Sequence, residues 1–161
     1  MIKKIIICFF FAMLFSCGFT PMLKDFDVST FNIQKINYVG KNKLTYLAKN
    51  YLNIQEKKNK TGLIVNLKVS ENFFTSKRNA SGKIIEEQMN LSINMSIANG
   101  QGINLLTDTV SVSRKISITS NVSSDNENRR IAKNSLMQTL TQKVKFKLQL
   151  VSKLENDSKK F

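Results

Sequence analysis

Histidine and tryptophan are absent from this 161-residue sequence, and proline occurs only once. Without histidine, neither imidazole acid–base chemistry nor a Cys/His metal site can be built. The one adjacent acidic pair, Glu86 and Glu87, lies in a stretch with strand-like alternation, where neighbours point to opposite faces and cannot act as paired carboxylates. We therefore predict no catalytic residues, no metal, no cofactor and no enzymatic activity. A Ser–Lys dyad stays open as an alternative, because both residue types are plentiful.

An apolar run opens the sequence. Two lysines precede eleven uncharged apolar residues, 5–15, which is the length of the apolar part of a signal peptide, whereas a membrane-spanning helix needs about 20. The end of this run and the two residues after it, Leu14-Phe15-Ser16-Cys17, resemble the lipobox of lipoprotein precursors. The resemblance implies that residues 1–16 are removed and that Cys17 carries diacylglycerol and an N-acyl lipid. An ordinary secretory signal, or a short uncleaved anchor, is the alternative.

Cysteine usage agrees with lipidation. Cys8 lies inside the segment to be removed, and Cys17 would carry lipid, so no disulfide could form in the mature chain. An exported domain of this kind must be stabilised by its core alone. The remaining chain, 161 minus 16 residues, is long enough for a single domain with a real core.

Basic residues outnumber acidic ones by 25 to 11, which gives a formal net charge of +14 at pH 7. Loss of Lys3 and Lys4 with the signal peptide would lower this charge by two. The excess implies acidic partners, and an exported, membrane-anchored protein meets phosphorylated lipids and acidic sugars before DNA, so we predict no nucleic-acid partner. The alternative is that a lysine- and asparagine-rich composition reflects a genome-wide bias.

Hydrophobic periodicity predicts a strand, a helix and a second strand in the first half of the mature chain. The first strand covers residues 29–43, and the second contains an alternating run from Leu63 to Val69. The helix between them has one apolar stripe: Leu44, Leu47, Ala48, Tyr51 and Leu52. Residues 57–62 form a turn. Residues 75–82 are expected to be a flexible, basic hairpin connection.

The second half predicts two more strands and a long helix. Residues 89–97 alternate most clearly, with apolar residues on one face and Asn90, Ser92, Asn94 and Ser96 on the other. Residues 99–102 are a turn before one long, bulged final strand. Ser124 or Asp125 is expected to cap the last helix, whose apolar residues recur at steps of about four: Ala132, Leu136, Leu140, Val144, Leu148 and Val151.

This order predicts an α+β fold, with a four-stranded, mixed and largely antiparallel sheet covered by two helices. We assign residues 17–29 to a lipidated tether, residues 30–155 to a single sandwich domain, and residues 156–161 to a frayed, charged tail.

The segment Cys17-Gly18-Phe19-Thr20-Pro21-Met22-Leu23 resembles the CGF-x-P-L opening of the LPS-assembly lipoprotein (LptE) family, alphaproteobacterial type. The order of elements over about residues 14–155 agrees with that family. The resemblance implies a lipoprotein anchored on the periplasmic side of the outer membrane, which plugs the lumen of the LptD β-barrel and supports lipopolysaccharide export. Gly18, in place of an aspartate that retains many lipoproteins in the inner membrane, implies the same location. A free-standing envelope lipoprotein that binds acidic lipid or sugar, without a barrel partner, is the alternative.

The resemblance also implies contact with lipopolysaccharide through basic residues, which could form charge-assisted bonds to lipid A phosphates. The candidates lie around the hairpin connection and in the last strand: Lys77, Arg78 and Lys83, and Arg114 and Lys115. Either group could instead be a solvated face or the protection of an edge strand. Arg129 and Arg130 begin the last helix, where the helix dipole disfavours cations, which hints at a partner contact there.

Overall fold

The computed structural model describes residues 31–57 and 61–158. Its elements are β1 (Ile33–Val39), α1 (Asn42–Leu52), β2 (Leu63–Arg78), β3 (Ile84–Ala98), β4 (Asn104–Ser117) and α2 (Val122–Ser158). This is the order predicted from the sequence. The expected signal peptide, the lipidation site Cys17 and the tether lie outside the described residues, as do residues 159–161 of the tail.

The four strands form one mixed sheet in the order β1-β2-β3-β4. β1 and β2 are parallel, and the two later pairs are antiparallel. A parallel pair needs a crossover, which α1 supplies, whereas antiparallel neighbours need only short turns. Gly40 directly follows β1 with φ of +143°, and a Cβ there would lie 2.5 Å from the carbonyl oxygen of Val69. Glycine is therefore required where the chain leaves the sheet.

One face of the sheet is apolar, and both helices cover it. In the first half of β2 and in the part of β3 that pairs with it, every second side chain is buried: Leu63, Val65, Leu67, Val69, Met89, Leu91, Ile93, Met95 and Ile97. The predicted helix stripes pack into the same core, since α1 and α2 contact each other as well as the sheet. Alternation in the strands and a step of about four in α2 both follow from this one-sided burial. The predicted fold class is confirmed.

The β2–β3 hairpin is longer than predicted. β2 continues to Arg78 and β3 begins at Ile84, so the expectation of a flexible connection over residues 75–82 is wrong for its first half. The ladder between the strands continues to the pair of Arg78 and Ile84, with two register shifts after Thr75. Polar and basic residues resemble a loop in sequence, but an exposed two-stranded ribbon accepts them equally well.

The start of α2 also differs from the prediction. The helix begins at Val122, and the Asn121 side-chain Oδ1 accepts hydrogen bonds from the backbone N–H groups of Ser123, at 3.1 Å, and Ser124, at 3.2 Å. Asn121 is therefore the capping residue, and neither Ser124 nor Asp125 has that role. Both lie inside the helix.

We expect Ile93→Ala to lower the free energy of unfolding by about 2–5 kcal/mol, because it leaves a cavity between sheet and helices. Ile93 is fully buried, whereas its neighbour Asn94 is exposed on the other face. Asn94→Ala is the matched control, and its cost should stay within about 0.5 kcal/mol, as for ordinary surface changes. Urea unfolding measures both variants, and equal losses would contradict the assignment of the faces.

Candidate functional site

The predicted basic residues gather at one end of the sheet. Lys77 and Arg78 end β2, Lys83 closes the hairpin turn, and Lys115 lies near the end of β4. Two of these cations flank Glu86 of β3: Lys77 is paired with it across the ladder, and the Lys115 Nζ atom lies 3.2 Å from its Oε1 atom. The structure thus places side by side two groups of cations that are more than 30 residues apart in sequence.

The hairpin turn is held by its own hydrogen bonds. The Asn79 Oδ1 atom accepts from the backbone N–H groups of Ser81, at 3.1 Å, and Lys83, at 2.9 Å. The Arg78 Nη1 atom donates to the carbonyl oxygen of Gly82 at 2.8 Å. The Lys83 side chain is exposed and makes no hydrogen bond or ion pair with the described part of the chain. The turn therefore presents a free ammonium group on an ordered backbone.

Glu86 neutralises part of this basic end. The Ser76 hydroxyl donates to it at 2.6 Å, and this hydrogen bond, followed by the contact with Lys115, lowers the pKa of the Glu86 carboxyl. The pair is solvent-exposed, with 65% of the Lys115 side chain accessible, so its contribution to stability is small. Lys115 is therefore engaged with Glu86, while Lys77 and Lys83 have no ion pair with a described residue.

Arg114 and Lys115 face opposite sides of the sheet. Arg114 lies across from Met89, whose side chain is buried under the helices, and Lys115 lies across from Gln88 on the outer face. Successive strand residues alternate in this way, so the two cations cannot hold one ligand as a pair. A small cavity, about 250 Å³, lies beside both residues and is also lined by Ile131 and other residues of α2, the helix that Arg114 faces.

Arg129 and Arg130 are explained by contacts within the chain. The Arg129 Nη2 atom lies 2.9 Å from the Glu87 Oε2 atom, which also accepts from its Nε atom at 3.0 Å. Arg130 pairs with Glu127 one turn earlier in the same helix, at 2.6 Å. These carboxylates offset the unfavourable position of cations near the start of a helix. The suggested partner contact at these two residues is therefore not needed to account for them.

Two more ion pairs connect α2 to the sheet. The Lys133 Nζ atom lies 2.7 Å from the Glu71 Oε1 atom of β2, and Lys147 pairs with Asp108 of β4. With Glu87 of β3, three successive strands each present one carboxylate to the helix. Sequence reasoning missed these contacts. The alternation of inward and outward side chains could have indicated the contact of Glu71. This residue continues the inward series of Val69 and the other odd-numbered residues of β2.

Asp125 ties the end of β4 to the start of α2. One carboxylate oxygen accepts from the backbone N–H of Thr119 at 2.8 Å and from its hydroxyl at 2.9 Å, and the other accepts from the backbone N–H of Ser120 at 3.1 Å. Ser120 has a positive φ of 70°, so this bend needs support. The hydrogen bond from the Thr119 N–H is the main reason that the pKa of Asp125 lies below its ordinary value.

The sheet face turned away from the helices is polar. Asn90, Ser92, Asn94 and Ser96 lie on it, as predicted, and they continue into rows across the neighbouring strands. The Ser70 and Ser92 hydroxyl oxygens are 2.7 Å apart, and the Asn37 Nδ2 atom donates to the Asn66 Oδ1 atom at 2.8 Å. Apart from Lys68, the centre of this outer face is therefore an open surface of short, uncharged hydrogen-bonding groups.

Residues 31–57 and 61–158 contain no helix that is both long and apolar enough to cross a membrane. Within the same ranges, no three side chains of the types His, Cys, Asp and Glu are grouped so that they could hold a metal ion.

Comparison with known proteins gives structural matches. The fold is similar to that of rare lipoprotein B from Shewanella oneidensis, with a TM-score of 0.57 and 11% identity over 78% of this chain and 98% of that one. The chain has the fold of a bacterial lipoprotein. A minor lipoprotein from Acinetobacter baumannii matches with a TM-score of 0.55 and 13% identity, over 78% and 95% of the two chains. Lipoprotein B from Nitrosomonas europaea matches with a TM-score of 0.58 and 9% identity, over 78% and 86%.

No protein-family model and no curated protein sequence matches the chain. The likeness to the three lipoproteins, at 9 to 13% identity, therefore concerns the fold. The likeness extends over nearly the whole of the rare lipoprotein B chain. The two chains therefore share the fold of one whole domain.

We expect Asp125→Asn to destabilise the chain at pH 7, by an amount that shrinks in acid. The folded-state pKa is below the ordinary 3.8, so the ionised carboxylate contributes stability that is fully present above the ordinary value and is lost as pH falls through the folded value. Thermal unfolding between pH 7 and pH 2 measures the difference from the parent protein. Asn126→Ser, at the exposed neighbour, is the control, and its effect should not change with pH.

Proposed function

We propose that this chain is an outer-membrane lipoprotein of the LptE family, alphaproteobacterial type, which plugs and helps to assemble an LptD-like β-barrel in lipopolysaccharide export. The observation that carries the proposal is the fold, which covers 98% of rare lipoprotein B, an LptE-like lipoprotein. The CGF-x-P-L resemblance at Cys17 supports the same family from the sequence, without reference to the fold.

The anchor of the proposed protein is lipid on Cys17. Only 15 residues separate Cys17 from β1, so the domain would be kept close to the membrane surface. Gly18, the residue after the lipidated cysteine, favours the outer membrane by the analogy with lipoprotein sorting. In this proposed role the chain binds the barrel and helps to shape the assembly, and none of its residues has a catalytic part.

The polar outer face supports the role of a plug. The interior of an outer-membrane barrel is polar, so a protein seated in it needs exposed hydrogen-bonding groups. Twelve positions in the centre of this face belong to β2, β3 and β4, and Lys68 is the one charged residue among them: Asn66, Lys68, Ser70, Asn72, Asn90, Ser92, Asn94, Ser96, Thr107, Thr109, Ser111 and Ser113. Short side chains of this kind keep the surface level and offer both donors and acceptors.

The hairpin end supports contact with lipopolysaccharide. Lys77 and Lys83 are exposed cations without an ion pair in the described chain, and Arg78 lies between them with one of its nitrogens bonded to Gly82. Guanidinium and ammonium groups bind phosphate through charge-assisted hydrogen bonds. Lys115 borders the same end but is paired with Glu86, so we assign it a minor part. Arg114 faces α2 and is left out of this contact.

The partnership is tested by purifying the tagged full-length chain from detergent-solubilised outer membranes, where we expect a large β-barrel protein to co-purify. Asn94→Arg places a bulky charge on the exposed outer face and should reduce the yield of barrel. Gln101→Arg, in the exposed β3–β4 turn, adds the same charge elsewhere and should leave the yield unchanged. Mass spectrometry of the purified chain shows whether Cys17 carries lipid.

If no barrel co-purifies, and if depletion of the chain leaves lipopolysaccharide at the cell surface unchanged, the plug role is wrong. The free-standing lipoprotein that binds acidic lipid or sugar then takes its place. If the barrel co-purifies with a chain whose Cys17 is unmodified, the proposed lipid anchor is wrong and the proposed partnership stands.

The second contact is tested with lipid A vesicles. Replacing Lys77, Arg78 and Lys83 together by serine should weaken binding, and the loss should shrink at high salt, because exposed charges are screened over about 8–10 Å at physiological ionic strength. The control replaces three exposed lysines away from the hairpin, Lys43, Lys49 and Lys153, by serine. It removes the same charge, so an equal loss in both variants would show that only net charge matters.

A further inference from the structure

A groove runs between β4 and α2 on the helix side of the sheet. Its wider part is a cavity of about 780 Å³, lined by Val110 and its neighbours in β4 and by Lys143 and Phe146 in α2. The smaller cavity beside Arg114 and Ile131 continues along the same two elements. Phe146 is 49% exposed and Ile131 is 50% exposed, so the groove has apolar walls that are open to solvent.

β4 is also an open edge of the sheet. It is 14 residues long and pairs with β3 alone in the part of the chain that the structure describes. Its pairing with β3 is regular from Leu106 to Ser117, and it contains no proline. An edge of this length leaves alternate backbone N–H and C=O groups free to bond with a further strand. The groove lies directly beside that edge.

The charges at the groove are cationic. Arg114 and Lys143 are exposed and have no ion pair within the described residues, whereas the carboxylate in this part of β4, Asp108, is already paired with Lys147. A second copy of the chain would bring the same cations to the edge, and each copy has a formal net charge of +14 before the loss of Lys3 and Lys4. Like charges at a strand edge oppose self-pairing, but they favour a segment of opposite charge.

We propose that an extended, acidic segment of another protein binds along β4 as a fifth strand. Its backbone would bond with the open edge, and every second side chain would lie in the groove against Val110 and Phe146. Its carboxylates would reach Arg114 and Lys143 at the rim. This mode combines affinity from main-chain bonds with selection by side chains, as in other cases of strand addition. It concerns the helix side of the sheet and is independent of the proposed barrel contact on the outer face.

The experiment measures the binding of fluorescent eight-residue peptides to the lipidated chain in detergent. Every second residue of the peptide is serine, and the residues between, which share the face that lies in the groove, are alternately valine and glutamate. We expect saturable binding that weakens with salt and that is lost when lysine replaces glutamate in the peptide. Two further peptides are N-methylated on alternate residues, one in each phase. Because only one phase removes the N–H groups that bond with β4, one of them should bind and the other should not.

The protein variant Arg114→Ser with Lys143→Ser should bind the glutamate peptide at least about tenfold more weakly, since two charge-assisted contacts are removed. Lys43→Ser with Lys49→Ser removes the same charge from exposed positions of α1 and should keep the parent affinity. Phe146→Ala should weaken binding without lowering stability much, because the ring is half exposed. Urea unfolding confirms that each variant is folded.

Equal binding of both N-methylated peptides would overturn the strand-addition mode. Equal loss in the two double variants would reduce the effect to net charge and would overturn the site. Self-association of the chain that depends on Arg114 or Phe146, seen by analytical ultracentrifugation, would assign the edge to a second copy. If anionic phospholipid vesicles bind in a Phe146-dependent manner and the peptide does not, the groove is a lipid site and the proposal is wrong.

Discussion

The packing of α2 across the apolar face of the sheet is the contact on which the other features of this molecule depend. The described residues contain no cysteine, so no disulfide within them can replace it. The helix is 37 residues long, and it buries apolar side chains along its length from Ala132 to Val151. Three strands add one carboxylate each, at Glu71, Glu87 and Asp108, and each pairs with a cation of α2. Core burial provides most of the stabilisation, and the ion pairs help to fix where along the sheet the helix lies.

Because both helices occupy one side, the molecule has two distinct open surfaces. The centre of the outer face is level, polar and nearly uncharged, whereas the helix side has an apolar groove with cations beside the open edge of β4. A polar lumen suits the first surface, and an extended acidic chain suits the second. The two contacts do not compete for the same atoms, so one domain could hold both partners at once.

The sequence predicts the structure best in those elements that bury only one of their faces. Residues 89–97 alternate because only one face of β3 is covered, and α2 repeats at steps of about four for the same reason. Residues 75–78 carry no burial signal, since they belong to an exposed ribbon, and the strand was therefore missed. The cap at Asn121 could not be separated from Ser124 or Asp125, because all three side chains offer a suitable oxygen. Lys77, Glu86 and Lys115 lie side by side because of the register between the strands. No short stretch of sequence determines that register, so this contact could not be predicted.

The distribution of charge bears on whether the basic excess has a function. Most acidic residues of the sheet are engaged within the fold: Glu71, Glu87 and Asp108 hold α2, and Glu86 holds Lys115. The cations left without such partners in the described chain include Lys77 and Lys83 at the hairpin and Arg114 and Lys143 at the groove. A total charge acts weakly at physiological ionic strength, where screening extends over about 8 Å. An acidic ligand therefore responds to these local, unpaired cations and to the surfaces beside them, more than to the net charge of +14.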